Sequence, residues 1–284
     1  MGIFSGLAAV AGAVTLAVSG TLVTATVPAL AATRHTCSHP VWSSSLPGNG
    51  EGQPGYPGTY SPGNSPYIFD NDMWNAAGEN ISQTINVCAN RSWYTDTTIP
   101  AGIPAAVRTY PHVAVDYRDI GTGEQPALSA IKALASSYSG HAPRAGVYDV
   151  AYDIWLNGIG GQDSKEVMIW TDMYGQNPPT DVSGLHLSGR TWDLWATSDN
   201  SYIRFVPPAG RSYPSGKLDL KAFFDYLIKA GRIPATASLT SIEYGVEIVS
   251  TGGQQVRFDF GNFAVWPLSA RGHTAKQPAG AGGS

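Results

Sequence analysis

From Tyr67 to Trp266 the chain is broken by turn-forming sequence roughly every 8–15 residues, and between the turns apolar residues alternate with polar ones. A period of two is the spacing of a strand, whose successive side chains point to opposite faces. The segments are Tyr67–Met73, Ile81–Val87, Val113–Tyr117, Val147–Leu156, Glu166–Thr171, Thr191–Ala196, Tyr202–Val206, Ser241–Val249 and Val256–Trp266. Many short, evenly spaced strands predict an all-β sandwich or barrel in one domain. Gly158, Gly160 and Gly161 lie between two such segments and mark a hairpin turn. One stretch departs from the period. Leu220, Phe223, Phe224, Leu227 and Ile228 recur at helical spacing, with Asp219 near the start and Gly231 just past the end. That predicts a single amphipathic helix of about three turns, its aromatic stripe turned to the core.

The polar content narrows the partner. Charged residues make up only 13% of the chain, about half the usual share of a soluble domain, while Gly, Pro, Tyr and Trp abound. This balance suits a turn-rich β protein that handles a neutral ligand. Net charge is −4 and no basic run exceeds a pair of residues, which argues against nucleic acid as a partner. No phosphate-binding loop, zinc-protease His-Glu motif or Gly-x-Ser-x-Gly elbow occurs.

Residues 1–32 are apolar or small and end in Val27-Pro28-Ala29-Leu30-Ala31-Ala32, the pattern of a cleaved secretory signal, although no Lys or Arg precedes Arg34. The competing reading is a retained anchor, the apolar length approaching the ~20 residues needed to span a bilayer. Cleavage implies a secreted, extracellular protein without stable membrane association. Export permits a disulfide between the two cysteines, Cys37 and Cys88. His35 and His39 flank Cys37 but lack further partners, so no metal is expected. Residues 33–66 then form an N-terminal strand with a Gly/Pro-rich insertion, 67–268 the main β domain, and 269–284 a flexible Gly/Ala-rich tail. Asn80-Ile81-Ser82 and Asn90-Arg91-Ser92 fit the glycosylation sequon.

The strand Glu166-Val167-Met168-Ile169-Trp170 sends Glu166, Met168 and Trp170 to one face and two β-branched apolar residues to the other. A carboxylate, a thioether and an indole in one space build a poor core and a good sugar cleft. In Ile242–Val249, Ile242, Tyr244, Val246 and Ile248 face one way and Glu243, Gly245 and Glu247 the other. Two strand-borne carboxylates facing one cleft are the minimum for cleaving a glycosidic bond. A glutamate on a strand is more often only the wet face of a sheet, but two among aromatic residues shift the balance.

These motifs, in order, resemble glycoside hydrolase family 12, secreted endo-β-1,4-glucanases and xyloglucanases. Tyr67-Ile68-Phe69-Asp70-Asn71-Asp72-Met73-Trp74 is similar to the family's Tyr…Asn-Asn-x-Trp strand, and Arg108–Val113 to its Ser-Tyr-Pro-x-Val segment. Tyr152-Asp153-Ile154-Trp155, the Glu-x-Met-x-Trp strand at Glu166–Trp170, the helix from Leu218 and Tyr244-Gly245-Val246-Glu247 continue the match. The resemblance implies a β-jelly-roll sandwich of two antiparallel sheets with one packed α-helix, a monomer, and no cofactor. It makes Glu166 the nucleophile, Glu247 the general acid/base and Asp153 the support beside the nucleophile. Asn71, Trp74, Met168, Trp170 and Trp42 become the substrate-binding residues. Trp192, Trp266 and Trp195 are assigned to packing. The chemistry requires Glu166 ionised and Glu247 protonated, with retention of configuration when the carboxyls lie about 5–5.5 Å apart. The implied reaction is endo-cleavage of β-1,4-glucosidic bonds in cellulose-like glucans, with xyloglucanase, xylanase or non-catalytic glucan binding as alternatives. The sequence departs from the family after Glu247, where Ile248-Val249 follows, and after Trp170, where Asn177-Pro178-Pro179 stands.

Overall fold

A computed structural model of the chain describes residues 37, 39–48, 57–63, 65–89, 91–103, 105–118 and 125–267. The expected signal at 1–32, the tail at 269–284, residues 49–56 and 64 of the Gly/Pro insertion, His35 and Asn90 lie outside the described residues.

Two sheets form the sandwich. The smaller has six strands in the order β1 (Trp42–Ser44), β4 (Ser82–Ala89), β5 (Ser92–Thr98), β15 (Val256–Trp266), β7 (Ala135–His141) and β13 (Ser215–Asp219). The larger has nine: β10 (Val182–Leu187), β11 (Arg190–Ala196), β12 (Tyr202–Val206), β9 (Lys165–Tyr174), β8 (Val147–Leu156), β14 (Leu239–Ser250), β6 (His112–Asp116), β3 (Tyr67–Asp70) and β2 (Thr59–Tyr60). The pairings are antiparallel except one: β12 runs parallel to β9. That exception decides which side chains stand beside Glu166.

The core lies between the sheets. Val167 and Ile169 of β9 point into it with Ile242, Tyr244, Val246 and Ile248 of β14, all without exposed surface. Tyr244 packs among Tyr152, Phe260 and Phe263. The helix α1 (Leu220–Lys229) starts where Asp219 accepts a hydrogen bond from the Ala222 amide, satisfying one of the free N–H groups of the first turn. Gly231 follows its end with φ 67°, the left-handed stop that glycine adopts without strain. The helix buries Leu220, Phe223, Phe224 and Leu227, with Phe223 edge-on to Trp192 and Phe205. Gly158 and Gly160, both with positive φ, turn the β8–β9 hairpin.

Cys37 and Cys88 are joined, their Cα atoms 5.8 Å apart, so residue 37 is tied to β4. The expected strand Tyr67–Met73 ends at Asp70, because the chain then turns and Asp72 accepts a hydrogen bond from the Trp74 amide. Trp266, expected in the core, lies on the outer side of β15 and is 40% exposed, since alternation places it opposite Val265.

Candidate active site

The nine-stranded sheet has one face on the core and an opposite face that register assembles residue by residue. On β8, Asp149, Ala151, Asp153 and Trp155 share this face. Asp149 sits directly across from Glu247, and Asp153 from Glu243, on β14. On β9, Glu166 is the partner of Trp155, Met168 of Asp153 and Trp170 of Ala151. The parallel pairing of β12 sets Tyr202 beside Glu166 and Arg204 beside Met168, and β11 sets Trp195 beside Arg204. Glu166 and Glu247 thus stand on two strands with β8 between them, opposite Trp155 and Asp149 of that strand.

Gly245 makes room for this. A Cβ there would lie 2.2 Å from the Pro111 carbonyl oxygen and 2.7 Å from the His112 Cβ. Only glycine lets β14 lie this close to β6, and Val246 N and Ile248 N then bond to Pro111 O and Thr109 O. The glycine two residues before Glu247 is therefore a packing requirement of the strand that carries it.

Five carboxyls from β8, β9 and β14 crowd the face, and their exposure separates them. Asp149, Asp153 and Glu243 are buried, whereas Glu166 and Glu247 keep accessible surface. Burial drives Asp153 well above the usual carboxylate range, and the charge of Glu166 adds to it. Asp153 Oδ2 accepts from Trp155 Nε1 at 3.1 Å, while Oδ1 has no partner within the protein. Burial likewise raises Asp149, with Glu247 next in effect, and Gln176 Nε2 donates to its Oδ1 at 2.7 Å. Glu243 is pushed up to about 8 by burial. Its Oε1 accepts from Ser241 Oγ at 2.8 Å, and its Oε2 faces His112 Nε2 at 3.7 Å. His112 is itself buried, depressed by that burial and bonded through Nδ1 to the Tyr110 carbonyl; Glu243 and His112 are a neutral pair.

Burial raises Glu166 to about 8, helped by the charges of Glu247 and Glu243. Burial also raises Glu247, to about 7, but a hydrogen bond with Asp149 and the positive charge of Arg204 pull it back. Both carboxyls are thus raised, and the strand pattern alone did not bring Arg204 and Asp149 to Glu247, where they moderate its shift.

The expected sugar contacts divide. Trp74 is 62% exposed and presents an open indole in the loop after β3. Trp170 is only 3% exposed and Met168 not at all, so neither is a bare platform. They pack with Ala151 and Val206 as an apolar floor, the Met168 sulfur capped by Tyr202 Oη at 3.1 Å and Trp170 Nε1 at 3.5 Å. Asn71 is fully buried and spent on the protein: Nδ2 donates to the Leu46 carbonyl and Oδ1 accepts from Gln83 Nε2, both at 3.0 Å. It fixes the turn that carries Trp74. Trp42 stacks on Tyr60 at 5.1 Å, bridging the edge strands β1 and β2 of the two sheets. That contact packs it against the edge of the core. Trp195, assigned to packing from sequence, is half-buried on the carboxylate face against Arg204. Among the described residues no group of His, Cys, Asp and Glu is arranged to hold a metal ion.

Two partly exposed carboxyls on strands either side of β8, with an apolar floor of Met168 and Trp170 on the same face, make a site of the glycosidase class. The sequence profile of glycosyl hydrolase family 12 matches residues 65–266, and the chain belongs to that family. It is 26% identical over 192 residues to the inactive glycoside hydrolase XLP1 of Phytophthora nicotianae, covering 64% of this chain and 79% of the relative. It is 25% identical over 196 residues to a xyloglucan-specific endo-beta-1,4-glucanase of Phytophthora sojae, covering 64% and 78%. The xyloglucanase domain of NopAA from Sinorhizobium fredii, solved in complex with cellobiose, superposes with a TM-score of 0.65 at 27% identity, covering 80% of this chain and 99% of that one.

Proposed function

We propose that the protein is a secreted, monomeric, endo-acting glycosidase that cleaves β-1,4-glucosidic bonds in cellulose-like glucans with retention of configuration. The observation that carries this is the exposure pattern: of the five carboxyls that β8, β9 and β14 bring to one sheet face, Glu166 and Glu247 keep accessible surface and the other three are buried. Glu247 donates its proton to the glycosidic oxygen while Glu166 attacks the anomeric carbon, forming a glycosyl-enzyme and releasing the leaving chain. Glu247, now a carboxylate, takes a proton from water, which displaces Glu166 and restores the free enzyme. Asp153, kept neutral by burial, donates a hydrogen bond that orients Glu166. Trp74 offers a flat face to the apolar side of a sugar ring. The chemistry needs no metal or organic cofactor.

The xyloglucan-specific relative favours a decorated glucan as a second reading of the substrate, and the inactive relative makes an activity measurement the first step. The test is release of reducing ends from carboxymethylcellulose, barley β-glucan and xyloglucan, with proton NMR of the first-formed anomer. Glu166→Gln and Glu247→Gln each lower kcat by about 10²–10⁴-fold while leaving the melting temperature near wild type. No release from any of the three polymers, or an inverted anomer, overturns the proposal.

A further inference from the structure

Arg204 is a cation built into the carboxylate face. Its guanidinium lies between two indoles, 4.6 Å from the Trp195 ring centre and 5.3 Å from that of Trp170. Stacking of this kind holds the fork flat and fixed while leaving its in-plane donors free. Those donors are barely used: Nη2 reaches the Pro179 carbonyl at 3.4 Å, and Nε is buried with no partner. No carboxylate among the described residues pairs with it, although Arg118 is clamped on Asp116 and Arg144 meets Asp172. Arg204 nevertheless keeps accessible surface and acts on Glu247 and Asp149 through its charge.

A half-buried guanidinium with unspent donors, preorganised on aromatic faces, is a receptor for a planar anion. The occupant must lie on the carboxylate face and reach Arg204 while a glycosidic bond lies near Glu247. Neutral hydroxyls fit poorly as sole partners, because they leave the cation uncompensated. Burial raises Asp149, Asp153 and Glu243, which lessens the negative charge that β8 and β14 present to an anion.

We propose that Arg204 forms a subsite for a sugar carboxylate, so that the cleft prefers a β-glucan carrying uronic acid units over the neutral polymer. The inference rests on the glucan reading above and adds the charge of the substrate to it. The selectivity sits beside Glu247, and a bound carboxylate there offsets the Arg204 charge that otherwise favours loss of the Glu247 proton.

The test is calorimetric binding to the Glu166→Gln protein, which removes turnover, with cellohexaose and with cellohexaose oxidised to glucuronate at one C6. The oxidised oligosaccharide is expected to bind about tenfold or more tightly, with the difference shrinking in high salt. Arg204→Met in that background keeps the apolar wedge between Trp170 and Trp195 and removes the difference; Arg204→Lys restores part of it. Equal affinities, or a preference that survives Arg204→Met in a protein that melts normally, overturn the subsite while leaving the glucan reading intact. Affinity for neither oligosaccharide overturns both.

Discussion

Glu243 and Glu247 stand four residues apart on one strand and face the same way, yet they live in different chemistry. Glu243 is sealed beneath the surface against Ser241 and His112, so it stays neutral where a free glutamate would ionise. A carboxyl raised on folding contributes stability that is full below its unfolded value, near 4.3, and is lost as pH climbs toward the folded value of about 8. Asp149 and Asp153 act in the same direction. The protein is therefore expected to weaken between pH 5 and 8, and Glu243→Gln, which retains an acceptor for Ser241, to weaken less. Thermal melts of both proteins at the two pH values check this; parallel declines contradict it. The active pair titrates by the same physics. Only the state with one proton, Glu166 charged and Glu247 neutral, is competent. With Glu247 raised to about 7 and Glu166 to about 8, kcat/KM is expected to peak in the neutral range. An activity flank centred between pH 4 and 5 would show that the two carboxyls sit in a wetter cleft than described.

At the scale of elements, alternation was enough to find the strands that carry apolar residues on one face. Val147–Leu156, Tyr202–Val206 and Val256–Trp266 fall where the period of two places them. The strands that escaped it, β5, β7 and β13 among them, are rich in Ser, Thr and Gly and sit mostly in the six-stranded sheet, where Thr95, Thr97 and Ser136 take places on the buried face. Their polar and apolar positions differ too little in character for a period to stand out. The site residues divide the same way. Glu166, Asp153 and Glu247 were legible from their own strands, whereas Tyr202 and Arg204 needed the parallel register of β12 against β9, which no local pattern encodes. The helix was legible because its stripe is aromatic and capped at both ends. Phe223 is its anchor, wedged between Trp192 and Phe205. Phe223→Ala is expected to cost about 3–5 kcal/mol, read by denaturant unfolding; a loss under 1 kcal/mol would mean that the helix is not part of the cooperative core.

For the molecule as a whole, the Cys37–Cys88 bond spans 51 residues, a stretch that includes edge strands of both sheets, β1 and β2. Closing a loop of that length restricts the unfolded chain by about 3–4 kcal/mol. Cys88→Ser is expected to lose that much in denaturant unfolding, and a reduced wild type to match it; if the variant unfolds with the wild type, the bond constrains nothing. The cysteine pair and the sandwich were readable from the sequence. How bare each indole is was not, because a motif fixes which face an indole occupies and not what covers it: Trp170 lies under Arg204, and Trp42 spans two sheet edges. The cover over Met168 has a further effect. Oxidants attack thioethers that solvent can reach, and Met73 and Met173 retain such access while the Met168 sulfur sits under a phenol and an indole. In peroxide the outer two would turn to sulfoxide first, and the cleft floor would stay apolar long after the rim had been bleached.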